Sequence, residues 1–337
     1  MTESGQSAPT PTESAPGSAQ PAPGDRPTGD RLTDDRGALA PRDLQERMRQ
    51  EAYLADRGLA TAVSLALRLG RPLLLEGDAG VGKTEVAKVL ARILDVELIR
   101  LQCHEGIDAS QALYDWDYPR QLMALRAMEA LGAAPDGSVE HAAEGASLDE
   151  VSDRLYTERF LLERPLLRAL RSGGRAVLLI DEIDRADDEF EAFLLEILSD
   201  FQVSIPELGT IATATPPVVV LTSNRTRDLH EALRRRALYH WIDHPDAATE
   251  TEIIRVRAPE VPAGLARSVA DVVVRLRQLD LFKPPGVAET LDWARALTLL
   301  DVSALDRDVL VDTLSALVKD HDDLARVRAD LDRVLGG

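Results

Sequence analysis

One stretch restricts what this chain can fold into more than any other: Leu73-Leu74-Leu75-Glu76-Gly77-Asp78-Ala79-Gly80-Val81-Gly82-Lys83-Thr84. Its apolar start reads as a buried parallel strand. Glu85 to Leu94, apolar at Val86, Ala87, Leu90, Ile93 and Leu94, reads as a helix. The loop between them suits a phosphate chain, because backbone N–H groups must turn inward around it and Gly77, Gly80 and Gly82 permit that path. A helix starting at Lys83 adds free N-terminal amides and a favourable dipole. In such a loop Lys83 supplies a point charge to the β and γ phosphates and the Thr84 hydroxyl holds Mg²⁺. The segment Gly77, Asp78, Ala79, Gly80, Val81, Gly82, Lys83, Thr84, Glu85 is the expected nucleotide-binding loop.

At 337 residues, 45% of them hydrophobic, the chain has material for two packed domains and a tail. Residues 1–41 are rich in Pro, Ser, Thr, Gly and Ala and almost free of large apolar side chains, which predicts a disordered tail. The single cysteine, Cys103, cannot form an intrachain disulfide, and it ends an apolar run as core cysteines do. With no basic-then-apolar leader and no run long enough to span a bilayer, the expected location is cytoplasmic. A net charge of −19 argues against a nonspecific nucleic-acid binder. Lysine occurs only at positions 83, 88, 283 and 319, so one of the few lysines falls where a phosphate loop needs it.

Helical spacing runs from Asp43 to Leu69, ahead of the loop. Val96 to Leu101 reads as a second strand, and His104 to Arg120, with Tyr114, Trp116 and Tyr118 among acids, as a surface insert. Gly132 to Ser147 reads as a loop, Phe160 to Leu170 as a helix, and Ala176 to Glu182 as a buried strand ending in two carboxylates. A helix is expected over Phe190 to Leu198, and Pro206 and Gly209 mark a hairpin within Gln202 to Thr213. Val218 to Thr222 and Leu238 to Ile242 complete the strands. Beyond Ala247 the pattern is helical throughout, near 247–257, 264–279, 287–300, 306–318 and 322–335. The expected organisation is a tail over 1–41, an α/β domain over 42–245 and a helical domain over 246–337, with ligands at the C-terminal strand ends of a parallel sheet.

Asp181 and Glu182 end a buried strand, where one carboxylate can reach Mg²⁺ through water and the next can orient or deprotonate an attacking water. Asn224, just past the next strand, is placed either to contact a γ-phosphate and the lytic water or simply to make a turn. Arg234-Arg235-Arg236 follow a helix begun near Asp228. They are either a charge meant for a neighbouring subunit's phosphate or a solvated basic cluster.

This order of motifs resembles that of AAA+ ATPases. The wording of Ala55-Asp56-Arg57-Gly58-Leu59-Ala60-Thr61-Ala62, Phe160-Leu161-Leu162-Glu163-Arg164-Pro165, Arg234 to Ile242 and Lys283 to Trp293 is similar to the MoxR family and, within it, the CoxD-like branch. The similarity covers residues 43 to 335. It implies an AAA+ core with a five-stranded parallel sheet, an all-helical lid, and ATP hydrolysis with Mg²⁺ in a ring, usually hexameric, whose sites lie between subunits. On that resemblance Lys83 and Thr84 are the Walker A pair, Asp181 the Mg²⁺ residue with Thr84, Glu182 the general base, Asn224 sensor 1, and Arg236, with Arg235 next, the arginine finger. The hairpin and the His104 to Arg120 insert match family elements that touch substrate. Where relatives carry a sensor 2 arginine this chain has Thr290; Arg295, a turn later, is one candidate substitute, and the sequence leaves open which residue takes that role. The resemblance also implies a partner with a von Willebrand A-like (VWA) domain and a protein client, as in maturation of a molybdenum-containing carbon monoxide dehydrogenase. Two other functions fit fewer of these residues: an ATP-switched binding module with little turnover, and a nucleic-acid motor, which the acidic charge disfavours.

Overall fold

The computed structural model describes residues 39–132 and 154–336. The expected tail up to residue 38 and the expected loop from 133 to 147 lie outside the described residues. Two helices come first, α1 (Pro41–Gln50) and α2 (Arg57–Leu69). Pro41 opens α1 at a position where its missing N–H costs nothing, and the Asp56 side chain caps α2 by accepting from Leu59 N. Then follow β1 (Leu73–Gly77), α3 (Lys83–Ile93) and β2 (Glu97–Gln102).

After β2 come the short α4 (Ala109–Ala112), β3 (Tyr114–Trp116), α5 (Tyr118–Gly132), β4 (Leu161–Glu163) and α6 (Pro165–Arg171). Two expectations change here. The stretch from His104 to Arg120 is no detached surface module: β3 pairs antiparallel with β4, and Leu113 and Trp116 are buried in the sheet's own core. The expected helix from Phe160 to Leu170 begins only at Pro165, because a residue before proline is pushed to extended backbone and Arg164 has φ −90 and ψ 172. Ahead of it lie a 3₁₀ turn (Glu158–Phe160) and β4.

The chain continues through β5 (Ala176–Asp181), α7 (Asp188–Asp200), the hairpin β6 (Gln202–Ile205) and β7 (Gly209–Ala212), β8 (Val218–Ser223), α8 (Glu231–Arg236) and β9 (Leu238–Ile242). The three arginines form the last turn of α8 instead of following it. Five strands make one parallel sheet in the order β2-β5-β8-β1-β9. Both faces are covered: Leu74, Leu178, Ile180 and Leu221 enter one core, and Leu73, Leu75, Leu179 and Val220 the other. Period-two alternation between two apolar layers explains why these strands read as unbroken apolar runs.

Beyond the sheet come α9 (Ala247–Arg257), α10 (Ala263–Arg277), α11 (Val287–Leu299), α12 (Arg307–Leu317), α13 (His321–Ala329) and α14 (Leu331–Leu335). The expected last helix is two, broken at Asp330, whose φ −111 and ψ 22 leave the helical region. These helices pack around their own core, centred on the fully buried Trp293, whose indole N–H donates to Thr313 Oγ1 at 2.9 Å.

Candidate functional site

The sheet places the C-terminal ends of β1, β5 and β8 side by side, and the chemistry-bearing residues sit just beyond them. Register does this: Ile180 pairs with Leu221, and Glu76 pairs with Ser223. Asp181, Glu182 and Asn224 are thereby brought against the loop that leaves β1. Together with Lys83 and Thr84 they line one cleft of about 320 Å³.

Within the loop, Gly77 has φ +154 and a Cβ there would lie 2.3 Å from Ile242 O, so only glycine fits between β1 and β9. Lys83 is buried, and its ammonium donates to Gly77 O at 2.9 Å and Asp78 O at 2.7 Å. Burial pulls its pKa below the usual lysine value, opposed by the charges of Asp184, Asp78, Asp181 and Glu182. Thr84 Oγ1 donates to Asp181 Oδ1 at 3.0 Å. Ala79, Gly80, Gly82 and Glu85 also line the cleft, whereas Val81 lines a neighbouring one of about 350 Å³ with Tyr53, His240 and Ile242.

Asp181 is 2% exposed and fully engaged. Thr222 Oγ1 donates to its Oδ1 at 2.5 Å, and Arg100 from β2 donates to its Oδ2 from Nε at 3.1 Å and from a terminal nitrogen at 2.5 Å. Glu182 adopts a left-handed conformation, φ +55 and ψ 50, at the abrupt end of β5. Its backbone N–H donates to Thr222 Oγ1 at 2.9 Å, and its carboxylate accepts from Gln102 Nε2 at 3.1 Å and pairs with Arg185 at 3.2 Å. Asn224 is held by its backbone, whose N–H donates to Asp184 Oδ1 at 3.2 Å. The buried Asp184 also accepts from Thr226 N and Thr226 Oγ1, at 2.8 and 2.7 Å, so it pins the loop after β8 to the end of β5.

Thr222, Asp184, Arg100 and Gln102 were missed by sequence reasoning. Polar residues at 100 and 102 alternating with buried Ile99 and Leu101 were the available signal. Only the pairing of Gln102 with Asp181 shows what they face.

The arginines of α8 do not reach the cleft. Arg234 is turned inward, a terminal nitrogen donating to both oxygens of the buried Glu76 at 2.8 and 3.1 Å, and this contact raises its pKa. Arg235 pairs with Glu231 one turn back. Arg71 holds the backbone at the helix end, donating to Arg236 O at 3.0 Å and Arg235 O at 2.6 Å. The Arg236 side chain is exposed, without a hydrogen bond or ion pair among the described residues.

The helical unit meets the loop directly. Val287 N donates to Gly80 O at 3.0 Å, and a Cβ on Gly80 would lie 2.8 Å from Gly286 Cα. Neither Thr290 nor Arg295 brings a cation to the cleft. Thr290 is fully buried and its hydroxyl donates to Gly286 O at 2.9 Å, while Arg295 reaches Glu260 at 3.0 Å and Arg257 O at 2.8 Å and does not line the cleft. Among the described residues no helix is long and apolar enough to cross a membrane, and no His, Cys, Asp and Glu cluster could hold a metal alone.

The gas vesicle ATPase GvpN of Haloferax mediterranei is 25% identical to this chain over 285 residues, 80% of this chain and 75% of that protein. The denitrification regulatory protein NirQ of Pseudomonas aeruginosa is 25% identical over 232 residues, 67% of this chain and 74% of that one. Among solved structures, the RuvB Holliday junction branch migration motor of Thermotoga maritima aligns at 21% identity with a TM-score of 0.41, over 83% of this chain and 71% of that one. The family described as AAA domain (dynein-related subfamily) matches residues 72–237, which take in the loop, four of the five sheet strands (β1, β2, β5 and β8) and the arginine helix. Residues 72–237 of this chain are thus similar to an AAA domain of the dynein-related subfamily.

Proposed function

We propose that the chain is a ring-forming ATPase of MoxR type that hydrolyses ATP to remodel or activate a protein client, in the manner of a chaperone. The observation that carries this reading is the convergence of Lys83, Thr84, Asp181, Glu182 and Asn224, from three strand ends, on one cleft. An AAA domain implies ATP binding. The loop amides and Lys83 bind the β and γ phosphates, and the second cleft beside Tyr53 and His240 is sized for the base.

Thr84 and Asp181 present oxygens 3.0 Å apart beside Lys83, a hard-donor set that fits Mg²⁺ shared with a phosphate chain. Thr84 and Asp181 would hold Mg²⁺ there, and it would supply positive charge against the phosphoryl group being transferred. Glu182 accepts a proton from the attacking water, and Gln102 and Arg185 fix the direction of its carboxylate. Asn224, anchored through Asp184, orients that water and the γ-phosphate from the neighbouring strand.

Arg236 serves a neighbour's site and not its own. Leu238 N donates to Pro72 O, so the end of α8 lies beside the start of β1, whereas the phosphate loop leaves that strand's far end about 16 Å on. An arginine presented to the next subunit closes the ring's catalytic sites. The family resemblance extends the proposal to a VWA-domain partner and, in the CoxD-like branch, to metalloenzyme maturation.

The test is ATP turnover and sizing across protein concentration for wild type and Glu182→Gln. Turnover that appears only with assembly, and a Glu182→Gln chain that binds ATP and assembles without turnover, support the reading. Wild type that binds ATP and never hydrolyses it, at any concentration and with client present, overturns it in favour of a binding switch.

A further inference from the structure

We infer that Glu76, the buried residue just before the phosphate loop, is the positioning residue for Arg236: it holds α8 through Arg234 and so fixes where Arg236 is presented to the next subunit. The inference rests on the reading of Arg236 as a group that completes a neighbour's site, and it names what sets that group's position.

Glu76 is 1% exposed, on β1 between Ser223 of β8 and Trp241 of β9. A carboxylate taken out of water needs a compensating charge, and both cations that supply it come from elements next to functional residues. Arg225 directly follows Asn224, and its Nε lies 3.9 Å from Glu76 Oε2. It is held in place by a left-handed backbone, φ +57, by its N–H donating to Ser223 Oγ at 3.0 Å, and by the Trp241 ring 5.7 Å from its guanidinium. Arg234 stands two residues before Arg236 and donates to both Glu76 oxygens, at 2.8 and 3.1 Å. Its Nε is buried without a partner, so Glu76 makes the only hydrogen bonds to that guanidinium among the described residues.

Helix geometry turns this contact into a direction for Arg236. At 3.6 residues per turn, positions two apart point about 200° from each other around the axis. Anchoring Arg234 inward on the sheet therefore aims Arg236 outward. A helix of six residues has too few internal bonds to keep its own orientation, so its outside ties decide it. Arg71 ties the end of the helix by its backbone, donating to Arg235 O and Arg236 O. Arg235 pairs within the helix, with Glu231. Arg234 is the side chain of the three that ties the helix to the sheet, and Glu76 lies one peptide bond from Gly77, where the phosphate loop starts.

The experiment measures ATP binding, turnover and ligand-free melting temperature of the full chain as Glu76→Gln and as Arg234→Gln. Each is assayed alone and in equal mixtures with Glu182→Gln, which keeps its Arg236, and with Arg236→Ala, which keeps its Glu182. Each variant alone is expected to bind ATP within about threefold of wild type and to turn over about 10- to 100-fold more slowly, as when a reacting group is misplaced by about an ångström. Mixed with Glu182→Gln, either should recover toward about a quarter of wild-type turnover, the share of random head-to-tail interfaces that bring an intact Glu182 to a well-placed Arg236. Mixed with Arg236→Ala, neither should recover. Where Glu76→Gln does not fold, Arg234→Gln decides, since it leaves Glu76 paired with Arg225. Wild-type turnover in both variants, with Arg236→Ala inactive, overturns the inference and leaves the ring ATPase standing. Recovery with Arg236→Ala in place of Glu182→Gln overturns it too, because the defect then lies in the variant's own cleft. Recovery with neither is the mark of a role in folding alone and also overturns it. Wild type without turnover, or Arg236→Ala as active as wild type, overturns the underlying reading and the inference together.

Discussion

The sheet unit and the helical unit both bury charge, and they use it differently. In the helices, Glu250 at 0% and Arg277 at 7% side-chain exposure form a closed pair at 2.9 Å, and the fully buried Asp323 accepts from Phe282 N and Lys283 N at 2.8 Å each. Each is a private contact that ties one turn to another. At the strand ends, Lys83, Asp181 and Asp184 are also buried, but Lys83 and Asp181 line an open cleft, with Thr84 and Thr222 donating to Asp181, and Asp184 holds the backbone of Asn224 beside it. Burial of charge therefore does not mark a site. Connection of buried charges to a shared cavity does.

The comparison breaks first at the cleft. Glu182→Gln is expected to lower turnover by about 10²- to 10⁴-fold while ATP binding persists, measured by steady-state hydrolysis and titration. Unchanged turnover would remove Glu182 from the chemistry. Arg236→Ala is expected to cost a comparable factor, of order 10³, and mixing it with Lys83→Ala should restore part of the activity, because each chain supplies what its neighbour lacks. Failure of the mixture to recover would mean Arg236 does not act between subunits.

The helical pair should fail in stability instead. Glu250→Ala strands the Arg277 charge and is expected to cost about 3–5 kcal/mol in denaturant unfolding. Should Glu250→Ala leave stability intact and abolish nucleotide binding, the distinction between the two regions falls. Gly80→Ala tests their junction, since the residue combines φ +82 with the 2.8 Å approach of Gly286 Cα. A loss of roughly 1–3 kcal/mol is expected, read by the same unfolding curves.

The smallest effect is a pH dependence. His244 joins β9 to α9, its ring nitrogens are buried without hydrogen bonds, and Nε2 lies 3.5 Å from Asp78 Oδ2. Burial, helped by Arg277, lowers its pKa, so the unfolded chain takes up its proton first as pH falls. Its contribution to stability is present above the unfolded value of about 6.5 and lost on acidification through that value and below. His244→Asn should flatten the melting temperature against pH between about 7 and 5 relative to wild type. An unchanged profile would place the acid sensitivity elsewhere.

The phosphate loop, the Asp181-Glu182 strand end and the hairpin were legible in the sequence because each is local. Glycine spacing, an unbroken apolar run and Pro-Gly turn chemistry act over a few residues. The corrections share the opposite cause. Leu113 and Trp116 look like part of a surface insert until β4 pairs with β3 and covers them, and the helix expected at Phe160 waits for Pro165 because a proline restrains its predecessor. Arg234, Arg235 and Arg236 read as one basic cluster, yet one of them is turned inward onto Glu76 and one is left exposed and unpaired among the described residues.

By itself, then, the sequence determined the elements, their order and the residue types at the loop and strand ends, since backbone propensity and apolar period are properties of short segments. The tertiary structure decided the strand order, the register that sets Gln102 and Arg100 against the Asp181-Glu182 pair, and the meeting of Arg225 and Arg234 at the buried Glu76. Those relations join residues far apart in the chain, and only the packing of two cores against one sheet and its helices fixes which of them meet.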